Sequence, residues 1–123
     1  MPDSPIPRIL IVEDEPMLAL MLEELLVDAG FGITGVAGRL ATALAMIEGG
    51  TYDAAVLDAN LAGVSADPAG QALTARGVPF LVLSGYAPDQ QTCAFSGALR
   101  LQKPCQPDRL IQALRSILPA RVR

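Results

Sequence analysis

Four separated stretches of the chain carry residues that together could do chemistry. They are the acidic run Glu13-Asp14-Glu15, Asp58 closing "AAVLD" with Asn60 two places on, Ser84-Gly85-Tyr86, and Lys103-Pro104. Clustered carboxylates repel one another unless a cation sits among them, and hard oxygen ligands with open positions suit Mg²⁺. Phosphoryl transfer to a carboxylate needs an in-line nucleophile, neutralisation of the equatorial oxygens and a donor to hold them. Asp58 supplies the first, Mg²⁺ with Lys103 the second and Ser84 the third, while Gly85 leaves room beside the hydroxyl for the incoming group. Each piece also has a plainer reading. An Asp after a strand caps or turns the next loop, Glu13 and Asp14 suit the positive end of a helix dipole, Ser84-Gly85-Tyr86 has the composition of a turn, and Lys103-Pro104 marks a strand end.

The elements that must position these residues are short and alternate in texture. "RILIV" (Arg8 to Val12), "GITGVA" (Gly32 to Ala37), "AAVLD" (Ala54 to Asp58), "FLVLS" (Phe80 to Ser84) and "LRLQ" (Leu99 to Gln102) read as strands. Between them, "PMLALMLEELLVDAG" has Pro16 suited to a first helical turn and Gly30 to a C-terminal cap, with Leu18, Leu22, Leu25, Leu26 and Ala29 as its inner stripe. Further helices are predicted at about Leu40 to Ile47, Asp67 to Ala75, Pro88 to Phe95 and Gln106 to Leu118. Strict alternation implies right-handed crossovers and a parallel sheet covered on both faces, whose sites form at the C-terminal edge of the strands. The acids, the hydroxyl and the ammonium therefore fall on one rim although they are far apart in sequence, which argues against four unrelated plain readings.

Composition narrows the setting. A chain of 123 residues, 51% apolar, is expected to form one domain with one core: a loose tail over residues 1–7, the domain over 8–118 and a short tail over 119–123. Net charge of −4 without a basic block predicts no nucleic-acid footprint, and the basic end "RSILPARVR" reads as solvated. Because no stretch is long and apolar enough to span a bilayer and no leader pattern opens the chain, a cytoplasmic protein without membrane contact is expected. The absence of His, and the spacing of Cys93 and Cys105, argue against zinc sites and His-dependent triads and for free thiols.

At Glu13-Asp14, Asp58, Ser84 and Lys103-Pro104 the chain resembles the receiver domain of two-component response regulators, and the likeness runs from Arg8 to about Leu118. The resemblance implies a flavodoxin-like, doubly wound (βα)5 fold. It implies that Asp58 accepts a phosphoryl group from a sensor histidine kinase or a histidine phosphotransfer protein, with no catalysis beyond the domain's own phosphorylation and dephosphorylation. It further implies Mg²⁺ held by the carboxylates of Asp14 and Asp58, by Glu13 through an intervening water and by the backbone carbonyl of Asn60. Lys103 would pair with the phosphoryl group, with a cis peptide to Pro104. "Pro79-Phe80" and "Ser84-Gly85-Tyr86" also resemble a single-domain subclass whose fourth strand begins Pro-Phe and ends Phe-Ala-Thr-Gly-Tyr, although Val82, Leu83, Ser84 and Cys105 depart from its pattern.

Only "PARVR" follows the last helix, so no output domain is expected, and a phosphate sink, a phosphoryl shuttle and a phosphorylation-dependent protein binder are all compatible with the residues, as monomer or weak homodimer. Met17, Leu20, Met21 and Val27 exceed what the inner stripe of the first helix needs, which implies either a fully covered helix or a docking face for a kinase helix bundle. Two other classes share some features. A flavodoxin-like cofactor binder would need a first loop rich in Gly, Ser and Thr, whereas "EDEP" repels phosphate; an aspartyl hydrolase would carry its nucleophile on the first strand, not the third. A degenerate receiver, which binds partners without being phosphorylated, keeps the same architecture.

The position three before Lys103, aromatic or His in most receivers, is Arg100, so an aromatic in-out switch is not expected. A phosphoryl group on Asp58 would instead draw in the Ser84 hydroxyl through a charge-assisted bond of roughly 1.5–3 kcal/mol. With a beryllofluoride phosphoryl mimic, amide exchange should change most between Ser84 and Gly97; changes confined to Leu99 to Gln102 would exclude a switch carried by this loop.

Overall fold

The computed structural model of the chain describes residues 6–61, 63–84, 99–102 and 106–118. Five strands, β1 (Arg8–Val12), β2 (Gly32–Ala37), β3 (Ala54–Asp58), β6 (Phe80–Ser84) and β7 (Leu99–Gln102), form one parallel sheet in the order β2-β1-β3-β6-β7. Helices α1 (Pro16–Asp28), α2 (Leu40–Gly49), α3 (Asp67–Ala75) and α4 (Pro107–Ile117) connect or follow them. This is the doubly wound α/β architecture expected from the alternation. All five strands have the bounds that the apolar runs predict. The helix expected at Pro88 to Phe95 falls outside the described residues, as do Gly85, Tyr86, Lys103, Pro104 and both chain ends beyond residues 6 and 118.

The strands are apolar on both faces because both faces are covered. Alternate residues point to opposite sides, so Leu10, Val12, Ala55, Leu57 and Val82 pack with Ala43 and Ile47 of α2 and Ala69 and Leu73 of α3. Ile9, Ile11, Val56, Leu81 and Leu83 pack the other way, against Leu26 of α1 and Leu110 and Leu114 of α4. β3, in the middle of the sheet, is buried along its whole length, Asp58 included.

Glycine ends two of the helices by the same device. Past α1, Gly30 sits at φ 100° and donates to Val27 O at 3.0 Å while Phe31 N–H reaches Leu26 O at 2.9 Å, a Schellman closure. Past α3, Gly77 at φ 72° and Val78 make the same pair of bonds to Thr74 O and Leu73 O, each at 3.0 Å. Arg115 of α4 locks the first of these ends: its guanidinium donates to Ala29 O at 2.8 Å and lies 5.1 Å from the centre of the Phe31 ring.

Some local features match expectation and others differ from it. α1 lays Leu22, Leu25, Leu26 and Ala29 of the expected stripe against the core, with Leu26 fully buried; it also buries Ala19, while Leu18 is partly covered. Met17, Leu20, Met21 and Val27 are 72, 50, 59 and 52% exposed, so α1 is not a fully covered helix. α2 runs to Gly49 rather than Ile47, and Gln106 and Leu118 are caps of α4 rather than its ends. The segment after β3, which sequence patterning leaves as loop, forms a small antiparallel hairpin of β4 (Asn60–Leu61) and β5 (Val64–Ser65). Two-residue strands are too short to show a period.

Leu57 is fully buried one residue before Asp58 and belongs to the α2–α3 side of the core. Leu57→Ala should cost about 2–5 kcal/mol in denaturant unfolding, the usual range for a Leu deleted from a packed interior; a loss below 1 kcal/mol would mean that the core beneath the rim collapses freely.

Candidate functional site at the C-terminal edge of the sheet

The rim is assembled by strand register. β1 delivers Glu13 and Asp14 just past its end, and Glu13 N–H is pinned to Ala37 O of β2 at 2.9 Å. β3 ends on Asp58, and Ala59 N–H continues the ladder to Leu83 O of β6 at 2.9 Å. One carboxylate oxygen from each of Glu13, Asp14 and Asp58 lies within 4.8 Å of the others. Glu13 and Asp58 are buried, at 2 and 7% exposure, and Asp14 is partly covered. Ser84, 4% exposed, closes β6 one residue beyond Leu83, the register partner of Asp58, and itself pairs with Gln102 at the end of β7. Sequence placed these four on one rim, and the structure brings them there. Lys103, Pro104, Gly85 and Tyr86 lie outside the described residues.

Backbone donors orient the acids. Glu13 Oε2 accepts the Glu15 N–H at 3.2 Å, and Asp58 Oδ1 accepts the Asn60 N–H at 3.3 Å. The donor set is three carboxylates made only of hard oxygen, converging at a partly open position, and it fits a Mg²⁺-like cation better than a soft metal.

Asn60 shows what sequence reasoning missed. Its side chain turns away from the acids, Oδ1 accepting the Gly63 N–H at 2.7 Å, while Gly63 holds φ 88°. Leu61 anchors the hairpin in the core at 2% exposure, and Ala66 N–H closes it to Ala59 O at 3.0 Å. The available signal was Asn60 with Gly63 close behind it, two residue types that favour turns.

A groove of about 630 Å³ runs from the rim down between α1 and α4. Leu18, Met21, Leu22, Leu25, Leu83 and Leu110 give it an apolar floor, and Glu13, Glu24 and Asp28 line it with acid.

A profile of the response regulator receiver domain matches residues 9–115. The transcriptional regulatory protein TcrA of Mycobacterium tuberculosis is 37% identical over 116 residues, covering 89% of this chain and 45% of that protein, so the chain spans about half the length of its curated relatives. Among solved structures, SdrG from Sphingomonas melonis Fr1 is similar at 40% identity over 91% of this chain and 96% of that one, with a TM-score of 0.78. The receiver domain of the sensor histidine kinase PA1611 from Pseudomonas aeruginosa PAO1, solved with a magnesium ion coordinated in its active-site cleft, is 27% identical over 92% of this chain and 98% of that one, with a TM-score of 0.80.

Removing one of the clustered charges should relieve repulsion while weakening cation binding. Asp14→Asn is expected to gain on the order of 1 kcal/mol of metal-free stability and to lose most of the stabilisation that Mg²⁺ gives the parent chain. Thermal unfolding with and without Mg²⁺ checks this; an unchanged Mg²⁺ response would remove Asp14 from the site.

Proposed function

This chain belongs to the response regulator receiver domain family, and from that premise we propose that it takes a phosphoryl group from a phosphohistidine donor onto Asp58 in a Mg²⁺-dependent reaction. The observation that carries the proposal is the meeting of Asp58 with Glu13 and Asp14 within 4.8 Å at the buried end of β3. A carboxylate oxygen of Asp58 forms the new bond to phosphorus as the bond between phosphorus and the donor imidazole nitrogen breaks, and the freed imidazole takes up a proton. The Asn60 N–H on Oδ1 fixes the rotamer of the attacking group, and the apolar strand behind it keeps bulk water from that side. Ser84, at the end of the neighbouring strand, would donate its hydroxyl to a phosphoryl oxygen, and Lys103 would add its ammonium.

The carboxylates of Asp14 and Asp58, Glu13 and the Asn60 carbonyl would hold Mg²⁺. When bound, Mg²⁺ supplies the positive charge that offsets the acids and the phosphoryl oxygens. Apart from phosphorylating and dephosphorylating itself, the chain would catalyse no reaction. It would work in the cytoplasm, in keeping with the lack of any described helix long and apolar enough to cross a membrane.

The donor is a sensor histidine kinase or histidine phosphotransfer protein, and α1 is the face offered to it. Met17, Leu20 and Met21 stand exposed beside the acid-lined groove, and the helix carries Glu23, Glu24 and Asp28 with no basic residue. A second copy of this surface would set acid against acid, whereas donor helices with apolar and basic residues complement it. The phosphorylated chain would then act through protein contacts or pass its phosphoryl group on. The exposed α1 face equally suits a receiver that binds partners without phosphorylation, and one measurement separates the two.

Incubation with acetyl phosphate and Mg²⁺ should add one phosphoryl group by intact mass, and Asp58→Asn should abolish the increment. Undiminished labelling of the variant would move the acceptor elsewhere; a parent chain that takes no label would be the phosphorylation-independent binder.

A further inference from the structure

The hairpin that follows β3 does more than link strand to helix. It has only two residue pairs, Leu61 with Val64 and Asn60 with Ser65. In an antiparallel pair, hydrogen-bonded and non-hydrogen-bonded positions alternate, and the residues flanking a two-residue turn are the bonded ones. The Asn60–Ser65 pair is then the non-bonded one, so both the N–H and the C=O of Asn60 face away from β5. The N–H is seen to do so, donating to Asp58 Oδ1 at 3.3 Å. In an extended residue the C=O lies on the same side as the N–H, which sets the Asn60 carbonyl on the side that faces Asp58.

A hairpin this short is not stable by itself. Its own side chain supplies the closure: Asn60 Oδ1 takes the Gly63 N–H at 2.7 Å, across a turn that requires φ 88° at Gly63. A Cβ on Gly63 would meet nothing within 4 Å, so substitution there acts through backbone conformation and not through a clash.

We propose that Asn60 is a positioning residue whose side chain, by clasping Gly63, holds its own backbone carbonyl and the Asp58 carboxylate in the arrangement that receives the divalent cation. The inference rests on the metal-site reading above. A chain that spends part of its time unclasped binds more weakly in proportion to the clasped fraction.

Calorimetric Mg²⁺ titration of the full chain tests it with three variants, alongside metal-free thermal midpoints. Asn60→Ala loses the clasp, and Gly63→Ala disfavours the turn because an L side chain resists positive φ. Each should weaken Mg²⁺ binding by about three- to tenfold, whereas Gly63→Asn, which tolerates the left-handed region, should stay close to the parent. None of the three alters a carboxylate. Lowered thermal midpoints with Mg²⁺ affinity unchanged in both Asn60→Ala and Gly63→Ala would reduce the clasp to loop stability and overturn the inference. A parent chain that binds no Mg²⁺ at millimolar concentration would overturn the metal-site reading and the inference together.

Discussion

Three carboxylate oxygens within 4.8 Å of one another, two of their side chains buried, form an arrangement that opposes folding unless something offsets the charge. Much of the surrounding structure can be understood as what holds it in place. β1 and β3 are neighbours at the centre of the sheet, apolar on both faces, so the positions of Glu13, Asp14 and Asp58 are set by ladders that cannot shift without exposing core. Backbone N–H groups of Glu15 and Asn60 supply local compensation. The proposed Mg²⁺ would complete such a site by bringing compensating charge.

The two sides of the sheet are treated differently. α2 and α3 cover one side, with Ala43, Ile47, Ala69 and Leu73 fully buried. On the other side α1 buries Ala19 and Leu26 and leaves Met17, Leu20, Met21 and Val27 in solvent. Arg115 fixes the far end of α1 through Ala29 O and Phe31, so the helix presents this apolar strip on a firm support next to the rim. Exposed apolar surface of this kind marks interaction sites, and the groove it borders also reaches Glu13, so the proposed docking face adjoins the acidic cluster.

The opposite edge of the sheet has a purely structural character. Tyr52 donates its hydroxyl to Ile47 O at 2.7 Å and Arg76 reaches Glu48 O at 2.8 Å, so both serve the C-terminal carbonyls of α2. Burial pushes the Tyr52 phenol above its usual pKa, with Arg76 opposing the shift, which keeps the hydroxyl protonated as a donor. Titratable groups on the two edges therefore have different work: those at the C-terminal edge converge on a site, and these hold a helix end.

The amino-acid sequence by itself determined the five strands to the residue, the parallel sheet, and the rim shared by Glu13, Asp14, Asp58 and Ser84. Strands buried on both faces must be written as short unbroken apolar runs, and polar residues can enter only where a run stops, so the site is spelled out at the strand ends. Tertiary structure alone decided three things. Whether Met17, Leu20 and Met21 are covered depends on how α1 crosses the sheet, which periodicity along one helix does not record. That α1 ends under an Arg115 clamp depends on a residue 86 positions away from Ala29. The β4–β5 hairpin, with Asn60 turned away from the acids to hold Gly63, arises from two pairs too short to leave a pattern, and it exists because β3 and α3 fix both of its ends.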